Sequence, residues 1–208
     1  MKIQIIIVVT LALLVVAFFG GRYWYQHQQT ALPKDSVASL ERPYAPTFGK
    51  ANAKVTIVEF FDPACETCRA FYPYVKGFLK EHPDKIRLVL RHVPFHSGSD
   101  HVIRMLEASK LQDKYTQMLE VVYKYQDKWT INHKVDIALI WPLLPEAGID
   151  VERLQNDMKK PEVEANVKQD IADVNALGIR QTPEFFVNGK PLKRFGYKEL
   201  KELVESEL

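Results

Sequence analysis

The chain has 208 residues, 47% of them hydrophobic, and its 28 basic and 26 acidic residues give a formal net charge of +2. This length and composition suit one globular domain with appendages and exclude a disordered chain. No basic run exceeds a short pair such as Lys159-Lys160, so no nucleic-acid partner is expected. The chain has only two cysteines, which excludes a scaffold held by several disulfide bonds.

The N-terminal segment has the composition of a membrane anchor. After a basic start, an uncharged apolar run extends from Ile3 to Phe19. No small-residue cleavage site follows it, whereas the aromatic residues Tyr23–Tyr25 suit a lipid–water boundary. We therefore expect an uncleaved signal anchor at residues 1–25, which crosses the lipid bilayer through residues 3–21. An irregular linker at residues 26–49 follows.

A buried strand and an amphipathic helix come next. Lys54–Phe61 is rich in β-branched and aromatic residues and ends before Asp62-Pro63, which predicts a strand closed by a turn. From Cys68 to Leu79 apolar residues recur at steps of three and four, so a helix begins at the cysteines and contains Pro73. Ile86–Val93 predicts a second strand, parallel to the first because a helix connects them.

Helical patterns dominate the following part of the chain. Ser99 and Asp100 can cap a helix. Further helical patterns occur at residues 115–122, Val135–Leu144, Val151–Met158 and Val163–Leu177. Glu184–Leu192 then predicts a β-hairpin, because its Asn-Gly dipeptide favours a tight turn. An amphipathic helix at Lys198–Leu208 ends the chain.

The Cys65-x-x-Cys68 pair allows several interpretations. Covalent haem attachment is excluded because Arg69 follows the second cysteine. A structural disulfide across so short a loop would stabilise the fold little. A metal site would need further ligands, and the candidates are His92, His96, His101 and His133. A thiol-based metal-binding protein therefore remains the alternative to redox chemistry.

The redox interpretation has a physical mechanism. A thiol attacks a disulfide as the thiolate, and the unpaired N–H groups of a first helical turn favour that anion. Cys65 is placed to be the nucleophile, and Cys68, one turn further on, to be the resolving thiol. Far along the chain, Thr182-Pro183 directly precedes a strand, where a cis peptide bond is the expected form.

Together these features resemble the DsbA-like branch of the thioredoxin superfamily over residues 50–205. The strand, the Cys-x-x-Cys pair and Pro73 resemble that family's active-site helix, and Gly178–Gly189 is similar to its segment with the cis-proline. The resemblance implies an α/β, thioredoxin-like fold at residues 50–208, with an inserted helical domain at about residues 98–176. The apolar N-terminal run predicts a transmembrane helix in front of it.

The resemblance also implies roles for single residues. Thr182 and Pro183 would pack against the cysteine pair and offer backbone groups to an extended substrate peptide. Glu59 corresponds to a buried glutamate that assists proton movement at the deeper thiol, although strand alternation equally allows an outward-facing side chain. The lysine that would partner this glutamate is replaced by Leu90.

A second departure from the family lies between the cysteines. The DsbA dipeptide Pro-His is replaced by Glu66-Thr67, which we expect to tune the redox properties. The Glu66 carboxylate should raise the pKa of Cys65 relative to a histidine at the same place and give a milder oxidant.

The sequence therefore predicts a thiol-disulfide oxidoreductase, anchored in the membrane, with its catalytic domain in the periplasm or at the outer face of the cell membrane. It needs no cofactor and no resident metal. Its partners are cysteine-containing protein substrates, with oxidation of their thiols as the favoured direction, and a membrane redox partner, either a DsbB-like oxidase or a reductase. A reductase or isomerase of the same fold remains open.

Overall fold

The computed structural model describes residues 15–22 and 38–208. Residues 15–22 are helical, and within the described ranges no helix combines the length and the apolar character needed to cross a membrane. The other parts of the predicted anchor, residues 1–14 and 23–25, lie outside the described residues, as does the start of the predicted linker, residues 26–37. The fold below is that of the unit Lys34–Leu208.

A mixed sheet forms the centre of this unit. Its strands are β1 (Thr47–Phe48), β2 (Val55–Phe61), β3 (Ile86–His92), β6 (Glu184–Val187) and β7 (Lys190–Pro191). They lie in the order β1-β3-β2-β6-β7. The central strand β2 is parallel to β3 and antiparallel to β6, and every one of its residues is buried. This position explains its nearly continuous apolar sequence.

The helices pack around this sheet. They are α1 (Glu66–Glu81), α2 (Ser99–Ser109), α3 (Tyr115–Lys124), α4 (Gln126–Trp129), α5 (Val151–Asp157), α6 (Pro161–Leu177) and α7 (Tyr197–Glu207). Helix α1 connects the parallel strands β2 and β3, as predicted, and contains Pro73. Helices α2 to α6 all lie between β3 and β6 in the chain, together with a short hairpin of β4 (Thr130–Ile131) and β5 (Lys134–Val135).

Two local predictions are wrong. Val135–Leu144 is not an α-helix: after β5, two 3₁₀ helices occupy Ile137–Leu139 and Trp141–Ala147. The prolines of the second 3₁₀ helix lack the N–H donors of a regular α-helix. The cap of α2 is Gly98, in a left-handed conformation, and not Ser99 or Asp100. The Ser99 hydroxyl instead donates a hydrogen bond to the buried carboxylate of Asp62.

The described end of the predicted linker packs on the domain. Leu40 is fully buried, and β1 pairs with the edge of β3. The buried guanidinium of Arg91 donates to the carbonyl oxygen of Leu40 at 2.9 Å and to the carboxylates of Asp170 and Asp173 at 2.8 and 2.6 Å. This segment is therefore held against the sheet by strand pairing and by a buried cluster that joins Arg91 of β3 to Asp170 and Asp173 of α6.

Candidate active site

Cys65 lies at the junction of β2 and α1. It is the N-cap residue of the helix, with extended backbone angles, and its Sγ accepts a hydrogen bond from the backbone N–H of Cys68 at 3.4 Å. This geometry follows from the sequence, since the strand ends at Asp62-Pro63 and the helical pattern begins directly afterwards. The cysteine therefore occupies the helix terminus where unpaired N–H groups favour an anion.

The surroundings of Cys65 stabilise its thiolate. The side chain of Cys68 is the main donor, with further hydrogen bonds from Thr182 and from the backbone N–H groups of Cys68 and Thr67. These outweigh the opposing effect of burial and lower the pKa of Cys65 from 9.0 to about 5. In its protonated form the thiol can donate to the carbonyl oxygen of Thr182 at 3.3 Å. This lowered pKa favours the Cys65 thiolate at neutral pH.

Cys68 is the deeper of the two sulfurs. Its exposed fraction is 0%, compared with 7% for Cys65. Burial, the hydrogen bond to Cys65 and the negative charges of Cys65 and Glu59 raise the pKa of Cys68 well above its ordinary value. Both cysteines are free. The pair is thus strongly asymmetric, with one sulfur that ionises easily and one that holds its proton.

A nucleophile at the start of a helix is expected to be accessible to solvent, yet Cys65 is largely buried. Its sulfur is the more exposed of the pair, yet 7% is a small fraction. The reason is that Thr182 contacts it from a distant part of the chain. Glu66 and Thr67, the two residues between the cysteines, are both exposed. A substrate would therefore reach the sulfur across the surface of the first turn of α1.

The peptide bond between Thr182 and Pro183 is cis, as predicted. Pro183 is buried and directly precedes β6, which pairs with β2. Because β2 leads into the cysteine loop, this pairing brings Thr182 to Cys65 although the two residues are 117 positions apart. The structure therefore joins the two separate motifs of the sequence into one site.

Glu59 points into the protein interior and not outward. Its exposed fraction is 2%, and its Oε2 has no hydrogen-bond partner within residues 15–22 and 38–208. Leu90 is its register partner on β3, so an apolar residue stands beside the carboxylate. Burial, and secondarily the charge of Cys65, raise the pKa of Glu59 to about 8. The carboxyl group can therefore hold or release a proton near neutral pH beside the cysteine pair.

Sequence reasoning treated Asp62 only as part of a turn, but it organises the site. Its carboxylate is fully buried and accepts the backbone N–H of Ala64 at 2.8 Å. The same carboxylate accepts the N–H groups of Phe95 and His96, both at 2.8 Å. Asp62 thus fixes the cysteine loop to the loop after β3. In the sequence, this role is indicated by the position of Asp62 directly after a buried strand.

Gln126 was not identified from the sequence at all. It begins α4, has an exposed fraction of 1%, and donates through Nε2 to the carbonyl oxygens of Pro63 and Cys65 at 2.8 and 3.1 Å. A helix of the region between β3 and β6 therefore contacts the loop that carries the nucleophile. No local pattern reveals such a contact, because its partners are backbone atoms 61 and 63 positions away.

Two of the four histidines considered as metal ligands, His92 and His96, have other partners. His92 is buried between Asp170 and the hydroxyl of Tyr115, and the ring of His96 is 2.9 Å from the carboxylate of Asp62. Within residues 15–22 and 38–208, no group of three or more histidine, cysteine or acidic side chains is arranged to hold a metal ion.

Comparison with known proteins gives the family of this chain. The model of the thioredoxin family matches residues 41–206. The chain is 31% identical over 158 residues to an Na⁺/H⁺ antiporter NhaA of Herminiimonas arsenicoxydans, a match that covers 74% of this chain and only 24% of the antiporter. It is 29% identical over 174 residues to the disulfide bond formation protein D of Bacillus subtilis, covering 78% of this chain and 77% of that protein.

Two solved structures give the same result. A thioredoxin-like oxidoreductase of Silicibacter pomeroyi is 32% identical with a TM-score of 0.70, over 84% of this chain and 97% of that one. Oxidised BdbD of Bacillus subtilis is 26% identical with a TM-score of 0.69, over 79% of this chain and 92% of that one. The chain therefore belongs to the thioredoxin family, within which it is similar to DsbA-like thiol-disulfide oxidoreductases.

Proposed function

We propose that this protein exchanges disulfides with cysteine-containing proteins outside the cytoplasm through Cys65 and Cys68, acting as a dithiol oxidase. The observation that carries the proposal is the asymmetry of the pair: the pKa of Cys65 is lowered to about 5, whereas that of Cys68 is raised. Stabilising the Cys65 thiolate stabilises the reduced protein, which makes its disulfide a stronger oxidant. This difference favours transfer of the disulfide from the protein to its substrate.

The reaction has two steps. A substrate thiolate attacks the Cys65 sulfur of the Cys65–Cys68 disulfide, so that a mixed disulfide forms and the Cys68 sulfur leaves. The leaving sulfur takes up a proton, because burial disfavours its anion, and the buried carboxyl group of Glu59 is suited to supply it. A second substrate thiolate then attacks the mixed disulfide. The substrate disulfide is released, and the two electrons remain on the protein as the Cys65 thiolate and the Cys68 thiol.

The segment at the cis peptide bond would position the substrate. The carbonyl oxygen of Thr182, two residues before β6, lies 3.3 Å from the Cys65 sulfur. A backbone group this close to the nucleophile can bond an extended peptide without regard to its side chains. Such binding suits an enzyme that acts on many unfolded proteins.

The oxidase activity can be tested with a reduced, unfolded protein that needs disulfides to fold. The oxidised full-length chain should transfer its disulfide and restore the activity of the test protein, whereas Cys65→Ser should not. Glu81→Gln, an exposed change on α1, is the control for nonspecific effects. If the wild-type protein instead reduces disulfides of a folded test protein and never donates its own, it is a reductase.

We also propose that residues 1–25 anchor the protein in the membrane, where a membrane redox partner, a DsbB-like oxidase or a reductase, restores the state of its cysteines. The apolar run Ile3–Phe19 supports the anchor. The full-length chain should sediment with membranes and resist an alkaline wash, and deletion of residues 1–25 should release it. Recovery of the full-length chain in the soluble fraction would contradict the anchor.

A further inference from the structure

The loop of the nucleophile has a hydrogen-bond donor that the mechanism above does not use. Gln126 reaches it from α4, and its Nε2 donates to the carbonyl oxygens of Pro63 and Cys65. Both acceptors are carbonyls, so only the amide nitrogen can face them. Both N–H groups of the side chain are thereby committed to the cysteine loop.

The amide is retained there against an energetic penalty. Its Oε1 is buried and has no hydrogen-bond partner among the described residues. An unpaired buried acceptor is destabilising, and an apolar side chain of the same shape would avoid the penalty. The two donated hydrogen bonds are therefore the feature that distinguishes glutamine from an apolar residue at this position.

The donor is held rigidly. Trp129, in the same short helix, is fully buried, and its indole N–H donates to the carbonyl oxygen of Val122 at 3.0 Å. The backbone N–H of Tyr125, the residue before Gln126, donates to the carbonyl oxygen of Val121 at 3.1 Å. The corner between α3 and α4 is consequently fixed before it touches the cysteine loop, and Gln126 can hold that loop in one position.

The carbonyl that Gln126 contacts belongs to the nucleophile itself. The carbonyl oxygen of Cys65 also accepts the N–H of Arg69, the first hydrogen bond of α1. Fixing this carbonyl fixes the peptide plane that follows it, and hence the Thr67 and Cys68 N–H groups that face the Cys65 sulfur. Gln126 therefore acts on the N–H groups that stabilise the thiolate indirectly, through the backbone of Cys65.

We infer that Gln126 is a positioning residue that stabilises the reduced form of the Cys65–Cys68 pair by holding the cysteine loop. In the reduced protein only noncovalent contacts keep the Cys65 sulfur against the helix N-terminus. In the oxidised protein the bond to Cys68 keeps it there. The hydrogen bonds from Gln126 therefore stabilise mainly the reduced state. Their loss makes the Cys65–Cys68 disulfide a weaker oxidant.

The test is Gln126→Met, which keeps the length of the side chain and removes both donors. Its equilibrium with glutathione should shift toward the protein disulfide by about three- to tenfold, the range expected for the loss of about one net hydrogen bond. The pH midpoint of Cys65 alkylation should rise as well. If the methionine variant does not fold, Gln126→Ala is measured in its place, with the same expected shift.

The control is Leu154→Ala, which removes a fully buried side chain of α5. It should lower the stability of both redox forms equally and leave the glutathione equilibrium unchanged. An equilibrium of Gln126→Met within about twofold of wild type, or an equal shift in Leu154→Ala, would overturn the inference.

The inference rests on the proposed function, and the two fail differently. If the wild-type protein does not equilibrate with glutathione through Cys65 and Cys68, the proposed function fails. If it does, and Gln126→Met behaves like wild type, only the role of Gln126 fails.

Discussion

Glu59 offers a quantitative test of the charge arrangement around the cysteines. Its carboxyl group is buried, and its Oε2 has no hydrogen-bond partner in the described part of the chain. Burial, followed by the charge of Cys65, raises its pKa from 4.5 to about 8. Glu59→Gln keeps the shape of the side chain and removes the ionisation. The variant should therefore be more stable than the wild type at every pH at which the wild-type protein must bury the ionised carboxylate of Glu59.

The pH dependence of this gain has a definite sign. In the unfolded chain the carboxyl group ionises near pH 4.5, and in the folded protein near pH 8. Between these values the folded state holds a proton that the unfolded state has lost, so the free energy of unfolding of the wild type falls as the pH rises. With about 1.4 kcal/mol per pKa unit, the advantage of the variant should grow by about 4 kcal/mol between about pH 5 and pH 9.

Urea unfolding of the wild type and of Glu59→Gln over this pH range measures the effect. Most of this pH-dependent difference should remain in the oxidised proteins, because burial, the main cause of the pKa shift of Glu59, does not depend on the Cys65 thiolate. The control Glu81→Gln changes an exposed carboxyl group on α1 and should give a difference that does not vary with pH. A pH-independent difference for Glu59→Gln would refute the reasoning.

Three further outcomes are expected. In the reduced, folded protein, alkylation near neutral pH should label Cys65 well before Cys68, and equal rates by mass spectrometry would contradict the assigned order. Arg91→Leu should lower the free energy of unfolding by about 3 to 5 kcal/mol, because Asp170 and Asp173 of α6 lose the fully buried guanidinium that bonds both of them. Urea unfolding measures this, and a loss below about 1 kcal/mol would mean that Arg91 adds little to the stability. Glu66→Gln should lower the pKa of Cys65 and raise the reduction potential. Both changes should be small because Glu66 is exposed to solvent. An unchanged or lower potential would show that another group sets the redox properties.

The parts of the fold that depend on local sequence could be predicted. The buried strand β2, the helix that begins at the cysteines, and the hairpin at Asn188-Gly189 each follow from a short pattern. Both turn residues of the hairpin have positive φ angles, 48° and 77°, which asparagine and glycine adopt most easily.

The features of the fold and of the site that depend on distant contacts could not be predicted from the sequence. Whether Glu59 faces inward is undecided in a strand buried on both sides, because period-two alternation then carries no information. The roles of Asp62 and Gln126 depend on backbone groups far along the chain. Likewise, Arg91 looks like an ordinary strand residue until α6 brings two carboxylates to it.

The most direct test of the central claim is to trap the mixed disulfide. Cys68→Ala removes the resolving thiol, so a substrate protein that bonds to Cys65 cannot be released by it. After incubation with a substrate that carries an activated disulfide, mass spectrometry should find a stable adduct at Cys65. The matched variant Cys65→Ala should form little or none, because Cys68 is buried and its pKa is raised. An adduct formed equally well by Cys65→Ala, or by neither variant, would contradict the account.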